Sequence, residues 1–381
     1  MRKFLQILII LSAIIVFLTF ESKAVEYEIE ISDEAFVAEN KLNDLFDSLP
    51  EEIKDKLVTV NENSASDISK KYDFSFFFDH IKDKLLQYLP EHLNKLSIMI
   101  GLIIVISLSK QMQASLTLTK VSPAADMCSA LVSVLVIETM QKSILSVTQS
   151  FLATLSSTML MIVPIMEAIY LSSGNYMVSA ISSTGLNLMI AFTENLFAKA
   201  ISPAITISFL MAVVSSVTQN KGITFISKTL RTIISTVIII TMTLMTFSLT
   251  LQINASESAD NFANRTIRFA LGSYIPLVGG AVSETYSLFR SSLSLIKNLT
   301  GTTVIVILVL ICIGPVISLF LSRISINIAA NISGLLGCER EEGLYNEISS
   351  CYTLLISVVI SCVMMYILAI AQFCKTAVMV T

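Results

Sequence analysis

Long apolar runs separated by short polar connectors are the feature that most limits what this chain can fold into. Several runs approach or exceed the roughly 20 residues that an α-helix needs to cross about 30 Å of hydrocarbon. Only 14% of the residues are charged, whereas soluble globular chains carry about 25%. Because lipid offers the backbone no hydrogen bonds, such runs must be helical. The sequence therefore predicts an all-α fold, that of a polytopic helical membrane protein.

Residues 93–381 are predicted to form a multi-pass transmembrane domain of about seven to nine spans. The runs that begin at residues 151, 232, 302 and 352 have a full spanning length, and the others are short, polar or broken. The candidate spans are Leu93–Leu108, Ala124–Met140, Phe151–Leu171, Ile181–Phe197, Ser202–Thr218, Thr232–Leu251, Ile267–Val282, Thr302–Leu321 and Tyr352–Phe373.

The N-terminus has the pattern of a secretory signal peptide over residues 1–24. Arg2 and Lys3 precede an apolar run over residues 4–20, and small residues then lead to Ala24. An uncleaved first anchor is the alternative interpretation. In either case the chain after residue 24 is expected to begin outside the cytoplasm.

Residues 25–92 are predicted to form a small acidic helical extracytoplasmic segment. Acidic residues outnumber lysines there by more than two to one. Leu42, Leu45 and Leu49 follow a helical apolar stripe, and a further helix is expected over Ser75–Leu89. A segment this short buries little core alone, so its stripes are expected to pack on each other, the membrane body or a partner.

The lysines and arginines of the connectors predict on which side each connector lies, because these residues favour the cytoplasmic side. Lys110 predicts that the first connector lies inside, and Arg231 does the same for residues 219–231. If Ile267–Val282 crosses fully, the acidic connector over residues 322–351 falls outside. If that segment is re-entrant, the last three connectors change sides.

The apolar segment at residues 267–284 is broken in its middle by helix-disrupting residues. Broken backbone at membrane depth is tolerated only where protein or a water-filled cavity supplies hydrogen bonds. A second break lies at Gly314-Pro315, inside another apolar run. The candidate hinge or packing residues are Pro276, Gly279, Gly280 and Pro315.

Three carboxylates, Glu138, Glu167 and Glu194, lie within candidate spans. An intramembrane carboxylate is a functional candidate because its burial is costly unless it is paired. The alternative is a structural role, for example an ion pair with Lys142 or Lys199, or a position at the membrane interface.

Other classes of site are not indicated. The chain has no Walker-type phosphate loop, no HExxH and no GxSxG motif, so no catalytic residues, cofactor or metal are predicted, and the chain is not expected to be an enzyme. Its six cysteines form no CxxC pair. No basic patch with interleaved aromatics suggests nucleic-acid binding.

The layout and the stretch Arg268–Gly280 (RFALGSYIPLVGG), followed by Ser283-Glu284, resemble the stage III sporulation protein AE family of endospore-forming Firmicutes. The Lys110-Gln111 turn and the Ser202-Pro203 region are also similar to that family. The resemblance covers nearly the whole chain.

The resemblance implies a membrane subunit of the channel, or feeding tube, between mother cell and forespore. Such a subunit would be permease-like or export-gate-like and would lie in the mother-cell-derived outer forespore membrane. Its implied partners are other stage III sporulation membrane subunits, their ATPase and a forespore channel protein. A stand-alone secondary transporter that uses an intramembrane carboxylate such as Glu167 is the alternative function.

Overall fold

The computed structural model describes the backbone of residues 74–115, 122–172, 175–218, 221–274 and 279–378. Every regular element in these residues is helical, which confirms the all-α prediction for this part of the chain. The predicted signal peptide and most of the acidic outer segment lie outside the described residues. The elements are α1 (Phe74–Ser115), α2 (Ser122–Ser172), α3 (Tyr176–Leu196), a π-helical turn (Phe197–Ile201), α4 (Ser202–Thr218), α5 (Lys221–Tyr274), α6 (Gly279–Leu335) and α7 (Glu339–Val378).

Six helices in the described part are long and apolar enough to cross a membrane, as expected of a multi-pass membrane protein. Most are far longer than one crossing requires: α2 has 51 residues and α6 has 57. At 1.5 Å per residue, α2 is about 75 Å long, more than twice the thickness of the hydrocarbon layer.

Two pairs of candidate spans each lie within one helical path. Ala124–Met140 and Phe151–Leu171 both belong to α2, because the polar residues between them include no Pro or Gly that would end the helix. Ile181–Phe197 and Ser202–Thr218 are joined through the π-helical turn. Pro203 lacks an N–H, and the widened turn immediately before it keeps the chain helical. The number of membrane crossings stays a prediction.

The predicted hinge segment coincides with a junction between helices. α5 ends at Tyr274 and α6 begins at Gly279, so Ile267–Val282 is divided between two helices. Pro276 lies outside the described residues, and Gly279 and Gly280 are the first two residues of α6. At the other predicted break α6 continues through Pro315. A hinge or packing role for these four residues stays a prediction.

The antiparallel pair α6 and α7 forms the centre of the bundle. Their most apolar windows are the most buried of the six, and α5 is the least buried. Leu308 and Leu319 of α6 pack with Tyr352 and Tyr366 of α7 in the continuous core. On α5, large apolar side chains such as Val237 and Leu244 are exposed, as a surface that contacts lipid requires.

Candidate functional site: a buried ion-pair cluster at one end of the bundle

The turn between α6 and α7 places an acidic helix start at one end of the bundle. Gly337 has a φ of 72°, the left-handed conformation that glycine adopts without steric cost. The Cys338 N–H donates to the Ser333 carbonyl at 2.8 Å, and the Gly337 N–H donates to the Gly334 carbonyl at 3.2 Å. These two bonds are those of a Schellman motif, which ends α6 and lets α7 begin two residues later.

Glu341, in the first turn of α7, is completely buried and contacts two other helices. Lys110 near the end of α1 donates from Nζ to Glu341 Oε2 at 3.1 Å. Ser129 near the start of α2 donates from Oγ to Glu341 Oε1 at 2.8 Å. Both carboxylate oxygens are therefore satisfied, which a buried charge requires. The carboxylate also lies at a helix N-terminus, where the helix dipole favours negative charge.

A second buried ion pair lies one to two turns further along α7. Arg231 of α5 is only 7% exposed and donates from Nη2 to Glu347 Oε2. The Arg231 Nη1 donates to Ser227 Oγ at 2.8 Å and contacts Cys351 Sγ at 3.8 Å. The guanidinium thus holds α7 against α5 through several groups, a geometry that a lysine cannot reproduce.

Two serine hydroxyls complete this cluster by binding backbone carbonyls of the α6–α7 turn. Ser107 of α1 donates from Oγ to the Leu336 carbonyl at 3.1 Å. Ser216 of α4 donates from Oγ to the Arg340 carbonyl at 3.1 Å. The Leu336 carbonyl follows the last residue of α6, where carbonyls lack an intrahelical partner, so the Ser107 hydroxyl supplies one. We call Ser107, Lys110, Ser129, Ser216, Arg231, Glu341 and Glu347 the end cluster.

The end cluster corrects the predicted sidedness of the connectors. The contact between Lys110 and Glu341 brings the end of α1 and the α6–α7 turn to the same end of the bundle. The version in which the first connector lies inside and residues 322–351 lie outside is therefore wrong. The charge rule treats loop charges as free, whereas Glu341 and Glu347 are neutralised by Lys110 and Arg231.

The three predicted carboxylates do not converge. Glu138 forms an exposed i,i+4 ion pair with Lys142 at 2.8 Å. Glu167 is partly buried five residues before the end of α2, where its backbone carbonyl accepts a hydrogen bond from Ser179 Oγ at 3.3 Å. Glu194 is exposed on α3. A functional role for each stays a prediction.

The sequence did not predict two contacts that the structure shows between α1 and α6. His92 is buried, with Ser322 Oγ 3.3 Å from its Nδ1 and Ser318 Oγ 3.5 Å from its Nε2. A Cβ on Gly314 would lie 3.4 Å from Tyr88 Oη, so the Gly314-Pro315 step is also where α1 packs closely on α6. The spacing of small residues on α6 was the only sequence signal for this contact.

The chemistry of the end cluster is that of a structural lock. Among the described residues no group of three His, Cys, Asp or Glu side chains could hold a metal ion. The four charged groups satisfy one another, so the cluster fixes the relative positions of α1, α2, α5 and the α6–α7 turn.

Comparison with known proteins assigns the family. The family model for stage III sporulation protein AE matches residues 60–377, which include all the helices described above except the last residue of α7. The chain belongs to the stage III sporulation protein AE family. This confirms the resemblance seen in the sequence. It also supports a role in sporulation for this member of the family.

A curated relative agrees with that assignment. The stage III sporulation protein AE of Bacillus subtilis (strain 168) is 26% identical over 188 residues, 48% of this chain. The match spans 46% of the relative, a little under half of its length. No solved structure matches this member of the family.

Proposed function

We propose that this chain is a non-enzymatic, permease-like or export-gate-like membrane subunit of the channel complex that joins mother cell and forespore. The observation that carries the proposal is the family match over residues 60–377, combined with six helices of membrane-spanning length. Its site is the outer forespore membrane, and its partners are other stage III sporulation subunits, their ATPase and a forespore channel protein.

The end cluster supports this role because its ion pairs hold the helices of the subunit together at one end of the bundle. With the acidic outer segment in the intermembrane space, α1 runs inward and the end cluster faces the mother-cell cytoplasm. The ATPase subunit would therefore approach the end of the bundle at which α1, α2, α5 and the α6–α7 turn are locked together.

Deleting the gene in a sporulating host is expected to block forespore gene expression after engulfment. Heat-resistant spores should fall by orders of magnitude, and a wild-type copy should restore them. Affinity purification of a tagged copy from sporulating cells should recover the ATPase subunit. Normal spore counts in the deletion strain would contradict the proposal.

The variant Glu167→Gln distinguishes a channel subunit from a secondary transporter that uses this carboxylate. Glu167 lies only about 7 Å along the helix axis from the end of α2, away from the middle of the bundle. A channel subunit with Glu167→Gln is expected to restore spore formation fully. A loss of spores with normal protein accumulation would instead support ion-coupled transport through this carboxylate.

A further inference from the structure

The outward surface of the α6–α7 pair carries a stripe of polar side chains. On α6, Arg323, Asn327 and Asn331 follow one another at steps of four residues, so they lie along one side of the helix. Each is half-buried or exposed. On α7, Asn346 is exposed and lies nearly level with Asn331, since each is roughly 10 Å along its helix from the turn. We call Arg323, Asn327, Asn331 and Asn346 the Arg-Asn face.

A contact close to the turn brings the two halves of this face together. A Cβ on Gly334 of α6 would lie 2.8 Å from Glu342 Oε2 of α7. Gly334 continues the stripe of α6 three residues after Asn331, and Asn346 is one turn beyond Glu342 on the same side of α7. The side chains of the Arg-Asn face therefore flank one junction between α6 and α7.

These side chains have no partner among the residues that the structure describes. Arg323 forms no ion pair there, and its Nε is buried without a hydrogen-bond acceptor. Glu342 does not reach it, because Gly334, which Glu342 contacts, is about 16 Å along α6 from Arg323. The side-chain amides of the three asparagines also make no hydrogen bond to a described residue. On Asn346 only the backbone carbonyl accepts one, from Ser350 Oγ at 3.1 Å.

Contacts with α1 show how deep this face lies in the membrane. The contacts of Ser107 and His92 with α6 bracket residues 322–336 of that helix. Between them, α1 has no charged residue over residues 96–106 and exposes large apolar side chains, as a surface that contacts lipid does. These side chains are Ile98, Ile104 and Val105. Most of the Arg-Asn face is therefore level with the lipid-facing part of α1, and Arg323 lies at the outer edge of that part.

The other neighbour of the face is also apolar at this depth. The Arg231–Glu347 ion pair sets this part of α5 level with Asn346. Just beyond it α5 exposes Ile233 and Val237. The Arg-Asn face is thus a polar strip between two surfaces that fit lipid. Lipid tails cannot satisfy its amides and leave the guanidinium without a counter-charge.

A membrane helix is the occupant that fits such a strip. Inside the bilayer an added segment must be helical, because its own backbone hydrogen bonds have to be satisfied. Gly343 and Ser350 flank Asn346 at steps of three and four residues, and all three are exposed. Small residues at this spacing let a second helix approach closely enough for its polar side chains to bond the asparagines. A carboxylate on that helix would supply the two acceptors that a guanidinium fork binds.

We propose that the Arg-Asn face binds a membrane helix of another subunit, and that this helix carries an aspartate or glutamate level with Arg323. The inference rests on the proposed membrane assembly and adds the chemistry of one contact in it. A lipid phosphate beside Arg323 would leave Asn327 and Asn331, about 6 and 12 Å deeper, without partners. A second copy of this chain, packed face to face about a two-fold axis along the membrane normal, would set two like-charged Arg323 side chains against each other.

Photocrosslinking in the full chain, expressed in sporulating cells, tests this contact. A benzophenone amino acid replaces Ser350, which is level with Arg323 because each is about 20 Å along its helix from Gly337. The matched probe replaces Val237, an exposed residue of α5. The probe at position 350 is expected to give a protein adduct about tenfold or more above the yield at position 237. Mass spectrometry should map it to an apolar helix with an aspartate or glutamate within about two turns of the crosslinked residue.

Charge exchange then identifies the pairing. Arg323→Gln should lower the adduct yield by about tenfold or more, whereas Arg323→Lys should keep part of it because the positive charge remains. Both variants should accumulate in the membrane as the wild type does, since Arg323 has no partner in the described part of its own chain. Arg323→Glu should lose the adduct, and changing the mapped carboxylate to arginine should restore most of it.

Several results would overturn the proposal. A mapped helix without a carboxylate, or an unchanged yield in Arg323→Gln, would mean that Arg323 does not recognise the partner. An adduct of the chain with itself would mean that another of its segments or a second copy covers the face. Absence of any protein adduct would also overturn it. In that case, loss of copurified phosphatidylglycerol in Arg323→Gln would assign the face to lipid. Labelling of Ser350→Cys by a water-soluble maleimide, in a Cys128→Ser background, would assign it to water.

These readouts are adducts and not spores. The spore count of the deletion strain tests the proposed function separately, so the failure of one proposal is distinguishable from the failure of the other.

Discussion

Replacing Lys110 by methionine is expected to lower the free energy of unfolding by about 3 kcal/mol or more. The substitution preserves the size of the side chain but leaves the completely buried Glu341 carboxylate without a cation. Breaking a buried pair costs about 3–5 kcal/mol because the remaining charge stays desolvated. Thermal unfolding of the purified protein in detergent measures the loss, and reduced accumulation in the membrane should accompany it.

Two further variants show whether the loss arises from the unpaired carboxylate. In the double variant Lys110→Met with Glu341→Gln, the neutral amide still accepts the hydrogen bond from Ser129, so much of the stability should return. Lys95→Met removes the lysine of an exposed i,i+4 pair with Glu91 and should cost at most about 0.5 kcal/mol. Equal stability of the Lys110→Met and Lys95→Met variants would mean that the Lys110–Glu341 pair is not a lock.

Replacing Arg231 by leucine is expected to be similarly damaging, at about 3–5 kcal/mol. Glu347, whose side chain is 16% exposed, loses its cation, and Ser227 and Cys351 lose the donor they share. Arg231→Lys should recover only part of this stability, because one ammonium group cannot replace a fork of donors. The same unfolding experiment measures both variants.

A neighbouring base on α5 supplies the control for Arg231. Lys228 is exposed and lies three residues earlier on the same helix. Lys228→Leu should change the free energy of unfolding by no more than about 0.5 kcal/mol. If Arg231→Lys were as stable as the wild type, the guanidinium geometry would carry no special role.

The helical class and the apolar core were readable from sequence because they depend on local properties. Apolar runs of spanning length can only be helices in lipid, and the structure places Thr302–Leu321 and Tyr352–Phe373 in its two most buried helices. The sequence did not show which faces of α2 are buried, because that depends on α7 and α3, which pack against it.

The end cluster could not have been predicted because its partners are distant in sequence. Lys110 and Glu341 are 231 residues apart, and Glu339 and Glu342 on the same helix turn were equal candidates. Only the packing of α1 beside the α6–α7 turn selects Glu341. The charge rule for connectors failed for the same reason, since it treats each charged residue as facing water.

The most direct test of this account asks whether the end of α1 and the α6–α7 turn lie on one side of the membrane. Cys128 is exposed and is first replaced by serine. In that parent, Ser115→Cys and Leu335→Cys place exposed thiols at these two positions, and Tyr176→Cys places one at the start of α3, at the opposite end. Labelling uses a membrane-impermeant maleimide on intact cells and on opened vesicles, with the Cys128→Ser parent as background. The account predicts that positions 115 and 335 are labelled from the same side and position 176 from the other. Labelling of positions 115 and 335 from opposite sides would contradict the Lys110–Glu341 lock and the bundle built around it.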